Sequence, residues 1–191
     1  MKGIFERLFG KPAHEEKMTV GGVFHLTCYK DASMKEILWE EDAINKVTNQ
    51  GLDNLGSTYF YSTSKLSNAW YLALVNTNTT ATAAMTYATP VYTESTADGH
   101  RQSWGSGASS SQAVTNASPA VFTNGGDSGT PATETIYGVA LVGANAACVT
   151  AGDKAATGGI LHSFGLLSSA QPLVSGNVIN VTYTSTQASS T

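Results

Sequence analysis

The side chains that could carry chemistry are few and scattered along the chain. The four histidines are His14, His25, His100 and His162, and no two of them have the HxH or HExxH spacing that brings ligands to one metal. The two cysteines, Cys28 and Cys148, have no CxxC or Cys/His neighbourhood, so we expect reduced, buried thiols rather than a zinc site. We therefore expect no metal and no cofactor.

One motif has the residue types of a nucleophilic site. The segment GDSGTP at 126–131 is similar to the GDSGGP sequence around the nucleophile of chymotrypsin-like serine proteases, with Thr130 in place of a glycine. That chemistry needs a histidine base, an orienting carboxylate and an oxyanion hole. His25 and His100 lie upstream, but neither has the Ala-Ala-His-Cys context of those enzymes. Because exposed turns have the same composition, we predict a turn, no catalytic residue and no enzyme activity. A hydrolase at Ser128 is the alternative.

The acidic run Glu40-Glu41-Asp42 precedes a predicted helix, whose dipole stabilises negative charge at its N-terminus without a bound cation.

Aromatic residues offer another possible site. Trp39, Trp70, Trp104 and the eight tyrosines could form a platform for a sugar. At alternating strand positions, however, such residues are more often core or cross-strand pairs.

Residues 68–104 form the best-defined segment. It begins with the apolar run 69–75 and ends near Arg101 and Trp104. We interpret Trp70, Tyr71, Arg101 and Trp104 as a structural fingerprint. A further hypothesis places the Arg101 guanidinium over the ring of Trp70 or Trp104 as a cation–π partner.

Composition limits the partners. The chain has 191 residues, 41% hydrophobic and 13% charged, with a net charge of −4. The charged fraction is about half the usual quarter, and no basic run is present. We therefore expect neither nucleic acid nor membrane as a partner. We read no signal peptide at the start of the chain and expect folding in a reducing cytoplasm.

The pattern of apolar residues predicts the fold. Strands are expected at 21–29, 34–40, 69–75, 135–142, 160–167 and 177–184, with a helix from Asp42 through Asn49 or beyond. Shorter strands are expected at 90–94 with 101–105, and at 113–114 with 120–123. Short strands separated by turn residues are typical of an antiparallel β-sandwich, or of a barrel-like sandwich, with one short helix.

We divide the chain into three parts. Residues 1–19 form an amphipathic arm, residues 20–185 the β-sandwich domain, and residues 186–191 a flexible tail. In the arm, Ile4, Phe5, Leu8 and Phe9 share one helical face. This face is a candidate docking arm for a neighbouring subunit. The alternatives are a frayed terminus or a staple onto its own domain.

Several weak motifs occur in a fixed order between residues 21 and 184. They are Gly22-Val23-Phe24, Trp39-Glu40-Glu41, Asn45 to Leu52, Trp70-Tyr71 with Leu74, Tyr92 with Glu94, Arg101 with Trp104, Asn116 and Phe122, Ile136-Tyr137-Gly138, and Gly176 to Tyr183. In this order they resemble a widespread family of small tailed-bacteriophage virion structural proteins. Ala73 and Asn177 depart from that pattern.

The resemblance implies a non-enzymatic capsid decoration or cement protein that stabilises the head by binding across capsid subunits. It implies two partners, the major capsid protein and copies of the chain itself as a trimer or dimer. The expected location is the capsid surface of the virion, after synthesis in the host bacterial cytoplasm. The alternative is a tail or baseplate component whose β domain binds carbohydrate on the host surface.

Overall fold

The structure, a computed structural model, describes residues 17–61, 69–127 and 129–190. The candidate docking arm Ile4, Phe5, Leu8 and Phe9 lies outside the described residues. The strands are β1 Lys17–Tyr29, β2 Ile37–Val47, β3 Trp70–Val75, β4 Gln102–Ser103, β5 Ala113–Thr115, β6 Ala120–Thr123, β7 Glu134–Gly143, β8 Ile160–Leu173 and β9 Val178–Ser190. Helix α1, Asn49–Gly56, continues into a π-helical turn at Ser57–Tyr61, and a short 3-10 turn spans Ala146–Val149. The predicted mainly-β, antiparallel fold with one helix is confirmed.

The nine strands form one curled antiparallel sheet. Its order is β4-β3-β7-β8-β2-β1-β9-β5, and β6 also pairs with β9. Strand β2 links the two halves of the sheet, because its first part pairs with β1 and its last three residues pair with β8. The chain just beyond β4 reaches β5 at the other edge of the sheet, since the Gly107 N–H donates to the Thr115 carbonyl at 2.7 Å and the Ala117 N–H to the Gly105 carbonyl at 2.8 Å. The result is a barrel-like sandwich.

The interior of the barrel is apolar and aromatic. Phe24 of β1 stacks on Tyr183 of β9 with ring centroids 4.4 Å apart. The inward side chains of β3, Leu72 and Leu74, meet them from the opposite half of the sheet. The other face of β3 is also covered, as its continuous apolar run predicted: the strap at 76–100 lays Met85, Tyr87 and Tyr92 over Ala73 and Val75.

The predicted helix start at Asp42 is wrong. Residues 42–47 belong to β2, where side chains alternate: Ala43 is buried and Ile44 is 79% exposed. The cap is Thr48, whose hydroxyl accepts a hydrogen bond from the Gly51 N–H at 3.0 Å. A spacing of three residues puts Ile44 and Val47 on one face of a helix but on opposite faces of a strand. The pairing of residues 45–47 with β8 shows that these residues are strand.

Two pairings and two chain ends also differ from the predictions. Strands β5 and β6 both pair with β9 rather than with each other. Glu94 and Gln102 both pair with β3 instead of forming a hairpin. Residues 17–19 and 186–190 are paired strand rather than arm and tail, because the β1–β9 ladder runs to Lys17 and Ser190.

Candidate functional site: an aromatic cleft with an apolar rim

A cleft of about 220 Å³ opens at one end of the barrel, which we call the mouth. Its apolar lining is Leu55, Trp70, Trp104, Val114, Leu141 and Tyr183, and its polar lining is Ser106, His162, Ser185 and Gln187. A cavity of about 150 Å³ is enough to bind benzene, so the cleft can hold one ring-sized group. Among these lining residues none is charged.

The two tryptophans are held in place by backbone and ring contacts. The Trp104 N–H donates to the Trp70 carbonyl at 2.8 Å, and the Trp104 indole Nε1 donates to the Tyr183 carbonyl at 3.2 Å. The Trp104 ring also lies 5.8 Å from the Tyr183 ring, tilted by 60°. These contacts fix the angle between the β3–β4 edge and β9. Both rings are only partly buried, so their remaining surface faces the cleft.

His162 forms part of the cleft wall as a neutral imidazole. Its ring centroid is 5.7 Å from the Trp70 ring. Burial lowers the pKa of His162 to about 4, so the ring is uncharged at neutral pH. Its Nδ1 has no hydrogen-bond partner among the described residues. It lies against α1 at Gly51, where an added Cβ would be 2.8 Å from Nδ1 and 2.4 Å from the His162 carbonyl oxygen.

Helix α1 brings Leu55 to the cleft, and the helical segment carries further exposed apolar side chains. Leu52 and Leu55 are three residues apart, so they share one side of α1, and Tyr59 and Phe60 follow in the π-helical turn. Tyr59 and Phe60 are each 85% exposed, and their rings contact each other edge-on at 5.3 Å. Leu52 and Leu55 are 45% and 38% exposed. This side of the segment lacks the packing that amphipathic helices normally have on one face.

The β1–β9 ladder extends past the cleft on its other side. Gln187 lines the cleft and pairs with Val20, and the ladder continues for three more residues to Lys17. Since strand side chains alternate, Val20 and Met18 project from the same face as buried Phe24. Met18 is 74% exposed. We call the exposed apolar side chains of these two flanking elements the apolar rim: Met18, Leu52, Leu55, Tyr59 and Phe60. Of these, Leu55 lines the cleft itself.

The four fingerprint residues separate into two environments. Trp70 and Trp104 come together in the cleft, and Tyr71 packs against the outer cluster under the strap. Arg101 is elsewhere: its guanidinium lies over the ring of Tyr87, 5.2 Å from the centroid. The hypothesis of a tryptophan as cation–π partner is therefore wrong, because the strap supplies a tyrosine and a carboxylate at that position.

Arg101 is the centre of a buried polar network. Its Nε and Nη2 each donate to Glu94 at 2.8 Å, and its Nη1 donates to the Tyr87 hydroxyl and to the Cys148 carbonyl. Burial alone would lower the pKa of Arg101, but hydrogen bonding and ion pairing with Glu94 outweigh it and raise that pKa. The network joins the strap to the loop at 144–159. Its role is structural.

The other candidate groups do not assemble a reaction centre in the described part of the chain. The His25 ring is 2.9 Å from Glu40 and 2.7 Å from Asp42 on the outer surface. His100 lies 3.7 Å from Asp127, too far for a hydrogen bond. His14 and Ser128 lie outside the described residues. Within residues 17–61, 69–127 and 129–190, no three His, Cys, Asp or Glu side chains are grouped as metal ligands.

Comparisons with family models and with curated proteins add no relative. No protein-family model matches the chain, and no curated protein matches it either. No helix among the described residues is long and apolar enough to cross a membrane. Sequence reasoning singled out the two cleft tryptophans and counted His162 among the scattered histidines, but it did not predict that His162 lines a cleft and did not name Tyr59 or Phe60 as site residues. The Gly-Gly pair before His162 and the run Tyr59-Phe60 were the signals that could have drawn attention to them.

Proposed function

We propose that the chain is a non-enzymatic virion structural protein of a tailed phage: a capsid decoration protein that binds across capsid subunits and stabilises the head. The observation that carries this proposal is the apolar rim beside the aromatic cleft. Exposed apolar groups on the elements that flank a cleft are typical of protein interaction surfaces. The ordered motifs that resemble phage virion proteins give the partner.

Such a protein works by burying apolar surface. Each Å² removed from water contributes about 25 cal/mol before the losses of association are subtracted. One small contact is weak, but many copies on a repetitive shell act together. The proposed partners are the major capsid protein and further copies of the chain, as a trimer or dimer with closed symmetry.

Binding to virus particles tests this proposal. Particles made without the chain are mixed with purified protein and sedimented, and the variant Tyr59→Ser/Phe60→Ser is compared with Ile44→Ser. Ile44 is a matched control, because it is exposed and apolar but lies on the outer face of β2. We expect the double variant to lose binding to heads and Ile44→Ser to keep it. Equal binding by both variants, or no binding of the unaltered chain to heads, contradicts the proposal.

The cleft favours a second candidate, a tail or baseplate component that binds carbohydrate. Two partly exposed tryptophan rings, beside Ser106, Ser185 and Gln187, offer stacking surfaces and hydrogen-bonding groups. A glycan array tests this candidate. Binding of a glycan that Trp104→Ala abolishes supports it, and an array with no bound glycan removes it.

A further inference from the structure

Strand β1 has an open edge along its first residues. Strand β2 pairs with β1 only from Val23 to Tyr29, whereas β9 pairs with β1 from Lys17 onwards. Residues 17–22 and 185–190 therefore form a two-stranded ribbon. Among the described residues, no strand pairs with β1 on the β2 side of this ribbon.

The hydrogen bonds of β9 show which main-chain groups of β1 point to this edge. In an antiparallel ladder each residue directs its N–H and C=O to one side, and the side alternates along the strand. The N–H groups of Tyr183 and Gln187 bond to residues on the other side of β9, away from β1. The even-numbered residues of β9 therefore face β1, and so do their register partners Thr19 and Gly21.

Met18, Val20 and Gly22 consequently direct their N–H and C=O groups to the open edge. The Lys30 N–H, at an even-numbered position further along, donates to the Glu36 carbonyl on the same β2 side at 3.0 Å. In the described part of the chain, no hydrogen bond joins the main-chain groups of Met18, Val20 or Gly22 to a residue at this edge. Such an unpaired row is a template for an added strand.

A comparable gap between β2 and β8 is covered by side chains. These two strands pair over three residues only. Beyond them, the Ser169 N–H donates to the Glu41 carboxylate at 3.1 Å, and the Trp39 indole donates to the Pro172 carbonyl at 3.0 Å. Proteins also protect open edges with proline, charge or a bulge. The segment 18–22 has no proline, no charged residue and no bulge in its register with β9.

We propose that two copies of the chain pair antiparallel through this edge, with the two-fold axis at Thr19. The contact is self-complementary, because each copy offers the same row of donors and acceptors. Met18 of one copy then faces Val20 of the other, and these two residues exchange both main-chain hydrogen bonds. The same exchange occurs on the other side of the axis.

The position of β2 selects this register. An axis one residue further along the strand would place the first β1 residue of one copy opposite Val23 of the other, where Ile44 of that other copy already pairs. With the axis at Thr19, that first residue lies opposite Gly21, two residues before the pairing with β2 begins (23 − 21 = 2).

The side chains match a second copy in this register. Met18 and Val20 project from one face of the strand and Thr19 from the other. Met18 is 74% exposed in the single chain, and pairing covers it with Val20 of the other copy. On the opposite face, Thr19 lies against Thr19, a cross-strand pair whose hydroxyls can hydrogen-bond. An unrelated extended peptide would have to carry the same alternation.

The inference specifies one contact between copies and does not depend on the capsid proposal. A few residues of strand edge bury less than the roughly 1,200 Å² of a stable complex. The dimer should therefore dissociate with a constant in about the micromolar to millimolar range. Copies held close together by other contacts reach such concentrations locally.

Disulfide trapping of the full chain tests the partner and the register. The two Cα atoms at the axis would lie about 4.5 Å apart, a distance that a disulfide spans. In the matched control Gly21→Cys, an added Cβ meets only the Thr186 hydroxyl at 4.0 Å, but the two copies of residue 21 would lie about 14 Å apart. With diamide as oxidant, Thr19→Cys should form a covalent dimer about tenfold faster than Gly21→Cys. Cys28 and Cys148 are buried.

A charge on the edge should prevent the pairing. Met18→Lys places two like charges on diagonal positions about 7–8 Å apart, and the fold tolerates it because Met18 is exposed. Trapping in Met18→Lys/Thr19→Cys should fall to the rate of Gly21→Cys. The control Leu38→Lys/Thr19→Cys puts the same charge at another exposed apolar strand position and should keep the rate of Thr19→Cys. Circular dichroism verifies the β structure of each variant.

Equal trapping rates for Thr19→Cys and Gly21→Cys would overturn the inference. So would a trapped dimer that Met18→Lys leaves unchanged. If Thr19→Cys forms no dimer, and a peptide of another protein instead protects the Met18 and Val20 N–H groups from hydrogen exchange, the occupant is not a second copy and the inference is wrong. These assays contain no virus particle, so their failure leaves the capsid proposal standing.

Discussion

Replacing Glu94 with glutamine should strongly destabilise the domain. Glu94 accepts hydrogen bonds from Arg101 Nε and Nη2, both at 2.8 Å, and from the Gly152 N–H at 2.9 Å. The side chains of Arg101 and Glu94 are 1% and 5% exposed. Glu94→Gln keeps the volume but leaves the guanidinium charge buried without its counter-charge, a change that typically costs about 3–5 kcal/mol.

The assay is equilibrium unfolding in urea, with a thermal melt as the second measurement. For a domain of this size, 1 kcal/mol shifts the melting temperature by about 2–4 °C, so the expected loss is roughly 6–20 °C. The control is Glu36→Gln, which removes the carboxylate of the Lys30–Glu36 ion pair. That pair has the same 2.8 Å separation, but both side chains are more than half exposed.

The two ion pairs have the same length and differ in burial, so comparing the two variants shows the effect of burial. We expect the unfolding midpoint of Glu36→Gln to stay close to that of the unaltered chain, since exposed pairs contribute little. If Glu94→Gln shifts the midpoint no more than Glu36→Gln does, the buried network does not hold the strap in place, and the structural role assigned to Arg101 is wrong.

Three further outcomes are expected. Gly51→Ala should destabilise the protein by about 1–3 kcal/mol, because the new Cβ would lie 2.4 Å from the His162 carbonyl oxygen. The control Gly56→Ala meets no atom within 4 Å. Urea unfolding compares the two variants, and equal effects would contradict the packing of α1 on β8. Burial lowers the pKa of His162 from 6.5 to about 4, so between these pH values the unfolded chain binds a proton that the folded chain does not. The contribution of neutral His162 to stability is therefore complete above pH 6.5, and the free energy of unfolding should fall by roughly 3 kcal/mol as the pH drops towards 4. The folded His162→Gln variant should lose this dependence of the unfolding free energy on pH. An unchanged pH dependence would show that other groups cause it. Burial raises the pKa of the Cys28 thiol to about 11, so a thiol reagent at pH 8 should leave Cys28 of the native protein unmodified and label it in urea, as mass spectrometry of the peptides would show.

The local pattern of apolar residues predicted the strands whose burial is either continuous or strictly alternating along the chain. The run from Trp70 to Val75 is apolar at every position, and the structure covers both of its faces. The β1 sequence alternates, and the structure buries one side against Tyr183. These features depend on residues close in sequence, so a sequence reading can find them.

Choices that depend on distant partners could not be read in this way. Asp42 and Thr48 are both acceptable helix caps, and only pairing of β2 with β8 shows that the helix starts after Thr48. The polar end of β9 at residues 185–190 has no apolar alternation, and it becomes strand because it pairs with β1. His162 and α1 lie in close contact because Gly51 has no side chain, and the two residues are 111 positions apart (162 − 51 = 111).

The most direct test of the central claim is an electron cryo-microscopy reconstruction of virus particles that contain the chain. The claim is that the mouth, with the cleft and the apolar rim, is the surface that holds the protein on the capsid. The expected result is density for the barrel at junctions between capsid subunits, with Tyr59 and Phe60 against the shell. Absence of the chain from the head, or a barrel whose mouth faces solvent while another face contacts the shell, would contradict the claim.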